Sequence, residues 1–288
     1  MIPQMVNRGY SRDFAVNVSI TAALVALLVP PSHNLILFSA SAGGSISIAD
    51  LFAAGIVPAV MMTAALMFTV RLMAGKRGYP AEGFPGFREV ARRLVSALPG
   101  LMLVTLIFVG IRAGIFTAIE SASIAVCYAL LVTGLLYRTM KRDVFMHAVQ
   151  RAARTASLIL FVIASAASFG WLLAYLQVPS AAVDALTAVA DSKIAILLLL
   201  IAILLVLGTF MDLAPLIIIC TPVFLPVAKA FGVDPVHFGI VLIMTAGIGL
   251  VTPPVGSVLF VGAAIGKIGV TQALRSIWPF YLACLGVL

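Results

Sequence analysis

Apolar residues run along most of this chain in blocks of about 20, the length a helix needs to cross a bilayer's hydrocarbon core, and polar positions gather between the blocks. Residues 51–74 are one uninterrupted block; residues 94–111, 117–137 and 155–176 are three more, and each is read as a membrane-spanning helix. Two other blocks are interrupted. Residues 14–42 contain Pro30-Pro31, and residues 232–266 contain Thr252-Pro253-Pro254. Proline lacks a backbone N–H and clashes with the preceding turn, so no regular helix runs through either pair. Lipid offers the freed carbonyls no partner, which puts a break inside protein, beside a cavity or an ion.

Residues 194–231 carry two apolar arms around the polar tip "GTFMDLAP". At about 14 residues each the arms are short for a crossing, and a re-entrant hairpin entering from outside fits the pattern better. Residues 43–50, "GGSISIAD", read as a turn. The linker after residue 74 ends in a short basic amphipathic piece, Arg88 to Arg93, expected at the membrane surface. The last run, "IWPFYLACLGVL", has about 12 residues, too few to cross, so the chain is expected to be truncated at its C-terminus.

Composition turns these spans into a class. The 288 residues are 63% hydrophobic and 10% charged, with a mean hydropathy of +1.20, whereas a soluble domain carries about 25% charged residues. The chain is therefore an all-α polytopic membrane protein, and long uniform blocks exclude the short alternating segments of a β-barrel. The net charge of +8 does not mark a nucleic-acid groove, because six of the 18 Lys and Arg lie in residues 71–93 and five in residues 138–154. Cytoplasmic loops collect such residues. With both loops inside, Arg8, Arg12, Lys267 and Arg275 join them, and only Arg112, Lys193 and Lys229 fall outside; the outer segment before Lys193 carries Asp184 and Asp191. Cys127, Cys220 and Cys284 lack metal-type spacing and read as small hydrophobes. No Walker A loop, zincin motif or nucleophile elbow is present, so neither ATP hydrolysis nor the commoner catalytic classes have a basis.

The two broken blocks correspond. "GYSRDF" at 9–14 resembles "GVDPVHF" at 232–238, "LVPPSHNLILF" resembles "LVTPPVGSVLF", and "SISIADLFAAGIVP" resembles "GVTQALRSIWP", in the same order. An odd number of crossings separates the copies, so the second is inverted. Inverted repeats with helices broken at mid-membrane characterise secondary transporters, whose half-helix N-termini face anionic substrate groups while unwound carbonyls hold a coupling cation. The expected organisation is residues 1–58 as the remainder of the first repeat, 59–176 as connecting and scaffold spans, and 177–288 as the second repeat, with hairpin 194–231 and broken helix 236–266.

"LGTFMDLAPLIIICTPVFLPVAKAFGVDPVHFGIVL" followed by "GLVTPPVGSVLFVGAAIGK" resembles the large membrane subunit of tripartite ATP-independent periplasmic (TRAP) transporters. "GIFTAIESASIAVCYALLVTGLLYR" and "IPQMVNRGY…VPPSHN…SIADLFAAGIVP" extend the likeness along nearly the whole chain. The resemblance implies an elevator-type, cation-coupled importer of organic acids in a bacterial inner membrane, with sodium as coupling ion and no other cofactor. It implies two partners, a small membrane subunit (DctQ-like) and a periplasmic binding protein (DctP-like) that delivers a carboxylate substrate. Such subunits are longer than this chain, with helices and a first hairpin before "IPQMVNRGY", so N-terminal truncation is expected too. "PPSHN" and "TPPVGSVLF" resemble a subgroup that handles sugar acids rather than C4-dicarboxylates.

The candidate site residues gather at the breaks and the tip. Pro30, Pro31, Ser32 and Asn34 supply carbonyls and side-chain oxygens of the kind sodium prefers; a kink that only packs is the simpler alternative. Thr252, Pro253, Pro254, Gly256 and Ser257 carry the same reading, with Gly256 allowing close backbone approach. Sodium is assigned to Ser32, Asn34, Thr252, Ser257 and nearby main-chain carbonyls. Some members of the family have Asn where Val258 stands, which shifts weight to Ser257. Gly208, Thr209 and Asp212 form the tip, where a carboxylate within the apolar slab marks a functional site and also suits a helix cap. His33 is divided between local bonding and substrate, and His237 is expected to cap or pack. Thr117 and Glu120 form a capping box and stay outside the site. Two alternatives stand beside a TRAP subunit: a stand-alone carboxylate carrier, and a membrane scaffold or enzyme.

Overall fold

The computed structural model describes residues 1–79, 83, 85–187 and 192–288, and these form helices and connections with no strand among them. Of the linker 75–93 and the outer segment before Lys193, Pro80, Ala81, Glu82, Phe84, Ala188, Val189, Ala190 and Asp191 lie outside the described residues. The helices are α1 (Ile2–Asn7), α2 (Arg12–Val25), α3 (His33–Ser41), α4 (Ile48–Lys76), α5 (Phe87–Arg112), α6 (Ala118–Leu131), α7 (Arg142–Tyr175), α8 (Val178–Thr187), α9 (Lys193–Phe210), α10 (Leu213–Ala230), α11 (Pro235–Leu250), α12 (Ser257–Gly266) and α13 (Val270–Val287). Among them α4, α5, α9 and α10, with Ile119–Leu136 and Arg142–Leu173, are long and apolar enough to cross a membrane. The polytopic all-α class read from the hydropathy pattern is thus the class of the folded chain.

Two compact units form. One comprises residues 81–165, with α5, α6 and the first part of α7. Within it Tyr128 donates to the Pro99 carbonyl at 2.8 Å, and the Phe116 ring lies on Gly110. Thr117 and Glu120 form the expected capping box, Thr117 N donating to Glu120 Oε2 at 2.7 Å and Glu120 N to Thr117 Oγ1 at 3.3 Å. The piece from Arg88 to Arg93 is not a separate surface helix. It opens α5, with Glu89 bridging Arg92 and Arg93 at 2.9 and 2.8 Å, because i, i+3 and i, i+4 pairs support a continuous helix.

The other unit comprises residues 1–80 and 166–288 and is built around α11. Every residue of α11 from Phe238 through Leu250 is buried, so this helix is apolar all round for the reason a central helix must be. Phe38 packs on it at Phe238 and Gly239, and Phe14, Phe52 and Phe280 are buried elsewhere in the unit.

The two broken blocks share an order of elements. Gly9, with φ +89°, follows α1, and Gly232, with φ +69°, follows α10; this left-handed turn costs glycine little. A helix of 14 residues then leads to Pro30-Pro31, and one of 16 residues to Pro253-Pro254. Both pairs are joined by cis peptides. The short helices α3 and α12 follow, with 9 and 10 residues, then α4 and α13, each with one internal proline, Pro58 and Pro279. The copies also touch reciprocally. The start of α11 meets the end of α3, with Phe38 and Phe238 centroids 6.3 Å apart, and the start of α2 meets the end of α12, where Gly262 lies on Ile20 and Gly266 on Val16.

Three lengths differ from the hydropathy reading. The arms α9 and α10 have 18 residues each, because α9 continues through Gly208, Thr209 and Phe210 and the tip shrinks to Met211-Asp212. The last apolar run is the second half of an 18-residue helix, α13, bent 117° from α12. Lys267, at φ +53°, makes that corner. The outer segment also folds, as α8, which packs on α10.

Candidate functional site: two helix breaks and a hairpin tip

The second break is fastened to the hairpin. Asp234 caps α11, accepting from Val236 N at 2.9 Å and His237 N at 3.0 Å. His237 itself is exposed and contributes its backbone N–H, so the capping side chain is Asp234. The helix ends with Thr252 N donating to the Gly249 carbonyl at 2.9 Å and Thr252 Oγ1 to the Ile248 carbonyl at 2.7 Å. The chain then turns through exposed Pro253 and Pro254 to buried Gly256, at φ +39°. Gly256 N donates to the Thr209 carbonyl at 3.1 Å, which joins the break to the end of α9 beside the tip. Alongside, a Cβ on Gly249 would stand 2.7 Å from Gly208 Cα, and one on Gly256 would stand 2.8 Å from the Thr252 carbonyl oxygen. Glycine at these places is what lets two backbones meet without lipid between them.

Asp212 is exposed and caps α10, its Oδ1 accepting from Leu213 N at 2.9 Å. Among the described residues no hydrogen bond joins it to Thr252 or Ser257. Ser257 is exposed at the start of α12, and Val258 is half-buried. Thr209 is buried, with Oγ1 donating to the Val206 carbonyl at 2.8 Å.

The first break is the more buried of the two. Pro30 is buried and Pro31 exposed; Ser32 and Asn34 are 2% and 1% exposed. Ser32 Oγ donates to the Leu27 carbonyl at 2.5 Å, while Asn34 Oδ1 is buried without a hydrogen-bond partner. A native fold seldom leaves such a carbonyl oxygen unsatisfied, and an ion is one explanation for it. His33 is exposed. Gly55 of α4 supports the break, since a Cβ there would meet the Leu28 carbonyl oxygen at 2.6 Å.

The two breaks approach through Leu27 and Gly247: a Cβ on Gly247 would stand 2.6 Å from Leu27 Cδ1. Both α3 and α12 begin without a side-chain cap, so each presents the free N–H groups and positive dipole end of a half-helix. Among the described residues no group of three or more His, Cys, Asp or Glu is gathered. A cation here would rest on carbonyl, hydroxyl and amide oxygens.

Two buried hydroxyls escaped the sequence reading. Thr245 in α11 and Thr221 in α10 are fully buried with Oγ1 unpartnered. Each is a polar position inside an apolar run, and that was their signal. The close approach of Gly208 to Gly249 had only a glycine in each of two distant segments to announce it.

The family model for "Tripartite ATP-independent periplasmic transporter, DctM component" matches residues 1–288. An uncharacterized protein, YgiK, of Salmonella typhimurium is 38% identical over 287 residues, covering 98% of this chain and 65% of its own length. The 2,3-diketo-L-gulonate TRAP transporter large permease protein YiaN of Escherichia coli is 34% identical over 288 residues, covering 100% of this chain and 67% of its own. The C4-dicarboxylate TRAP transporter large permease protein DctM of Rhodobacter capsulatus is 31% identical over 300 residues, covering 100% and 68%. The chain thus spans about two thirds of the length of these relatives.

Proposed function

This chain belongs to the DctM family of tripartite ATP-independent periplasmic transporters, a family of transporter components rather than enzymes, and we propose that it acts in the large membrane subunit of a sodium-coupled importer of a carboxylate-bearing organic or sugar acid. One observation carries the reading: the hydrogen bond from Gly256 N to the Thr209 carbonyl, which ties a helix break to the end of a hairpin arm. Free half-helix N-termini at such breaks suit a carboxylate, and unwound carbonyls suit a small hard cation. Asn34 Oδ1 and Ser32 Oγ at the first break, and the Thr252 carbonyl and Ser257 hydroxyl at the second, are the oxygens that would hold sodium. The acid would meet the first turn of α12, near Ser257 and Thr252, with Pro30, Pro31, Gly208 and Asp212 shaping the surroundings. The tripartite family description supports two further components, a small DctQ-like membrane subunit and a DctP-like periplasmic binding protein, in the inner membrane of a bacterium.

Uptake of a labelled acid by proteoliposomes holding the complete complex tests this. It should require both an inward sodium gradient and the binding protein. Equal uptake with potassium would overturn the coupling, and equal uptake without the binding protein would favour a stand-alone carrier.

A further inference from the structure

Along one flank of α4, a groove of about 610 Å³ runs against α13. Its walls are apolar: Phe68 and Leu72 from α4 are 64% and 50% exposed, and Leu282 and Ala283 face them from α13, with Leu282 63% exposed. The only hydroxyl along it, on Thr69, donates to the Ala65 carbonyl of its own helix at 2.8 Å, so the groove presents no free hydroxyl to a polar occupant. One end is different. There Lys76 and Arg77 close the groove at the end of α4, on the side that collects the basic loops.

Arg77 is held in place. Its Nη1 donates to Ser11 Oγ at 3.0 Å, to Asp13 Oδ2 at 3.0 Å and to the Tyr79 hydroxyl at 3.2 Å, and its guanidinium carbon stands 5.7 Å over the Phe14 ring. Burial pushes the Tyr79 phenol up, but hydrogen bonds from Ser11 and Arg77 outweigh it and hold the group below its ordinary value. Nε and Nη2 of Arg77 make no hydrogen bond among the described residues. On α13, Trp278 is 56% exposed and packs edge-on to Tyr281, an amphipathic pair of the kind expected at headgroup depth.

We propose that this groove is a binding site for an anionic phospholipid, with one acyl chain along Phe68, Leu72 and Leu282 and the headgroup phosphate at Lys76 and the free edge of Arg77. Apolar walls ending in two cations on the cytoplasmic side complement such a lipid in both halves, and basic pockets between membrane helices take anionic headgroups. Asp13 neutralises part of the Arg77 charge, so Lys76 supplies the preference for an anionic over a zwitterionic headgroup.

Native mass spectrometry of the complete complex tests the site with two probes of identical chains, palmitoyl-oleoyl phosphatidylglycerol and palmitoyl-oleoyl phosphatidylcholine. The wild type should retain phosphatidylglycerol preferentially. Lys76→Gln should lower that preference about fivefold, the factor equivalent to about 1 kcal/mol per basic residue near an anionic surface, while Lys229→Gln leaves it unchanged. Ala283→Trp, which fills the groove, should lower retention of both lipids; because that variant risks the fold, the Lys76→Gln comparison stands independently. Equal retention of the two lipids by the wild type, or equal losses with Lys76→Gln and Lys229→Gln, would overturn the proposal.

Discussion

Gly256 N donates to the Thr209 carbonyl at 3.1 Å, and the two residues stand on different elements, a helix break and the end of a hairpin arm. That bond engages a carbonyl near the end of α9, and the first N–H groups of α12 carry no side-chain cap.

The joint needs glycine. On Gly249 a Cβ would stand 2.7 Å from Gly208 Cα, backbone that cannot swing aside. Gly249→Ala should cost about 1–3 kcal/mol, the range for overpacking, and abolish uptake by the complete complex. Gly269→Ala, at a position with open space, should leave both unchanged. Thermal unfolding in detergent and uptake are the two measurements.

Asn34 separates a structural role from an ion-binding one. Its Oδ1 is buried and unpartnered, so Asn34→Leu relieves an unsatisfied polar group and should leave thermal stability equal or higher. The sodium concentration for half-maximal uptake should nevertheless rise about tenfold, the equivalent of about 1.4 kcal/mol lost with one oxygen ligand. Unchanged sodium dependence would remove Asn34 from the cation site.

Asp212 caps α10, and substitution can separate that cap from the proposed role in the site. Asp212→Asn keeps an N-cap oxygen for Leu213 N and should hold stability, whereas Asp212→Ala should cost about 1 kcal/mol. If the carboxylate also serves the site, Asp212→Asn lowers uptake at full stability. Full uptake by Asp212→Asn would reduce Asp212 to a cap.

Much of this architecture is legible in the sequence because its signals are local. Pro30-Pro31 and Pro253-Pro254 announce the breaks, Thr117 and Glu120 announce the start of α6, and hydropathy alone marks α4 and α5 as spans. Contacts between distant segments leave no such trace. Asn17 donates to the Ala273 carbonyl at 2.9 Å and to Ser276 Oγ at 2.8 Å, binding α2 to α13 across most of the chain's length, yet as a single polar residue in α2 it has no periodicity to reveal it. The arms α9 and α10 run longer than the polar tip implies because Gly208 and Thr209 are tolerated inside a helix when packed on Gly249. At Lys267 a lysine takes the left-handed turn that glycine usually marks, which hid the corner between α12 and α13.

The most direct test of the joined break and tip as a binding site is the rate at which a small thiol reagent modifies Ser257→Cys in the complete complex, with the exposed Cys127 replaced. Sodium with a transported acid should slow modification about tenfold or more relative to potassium with the same acid, because bound ligand covers the first turn of α12. A rate indifferent to both sodium and the acid, in a complex that still transports, would contradict the account.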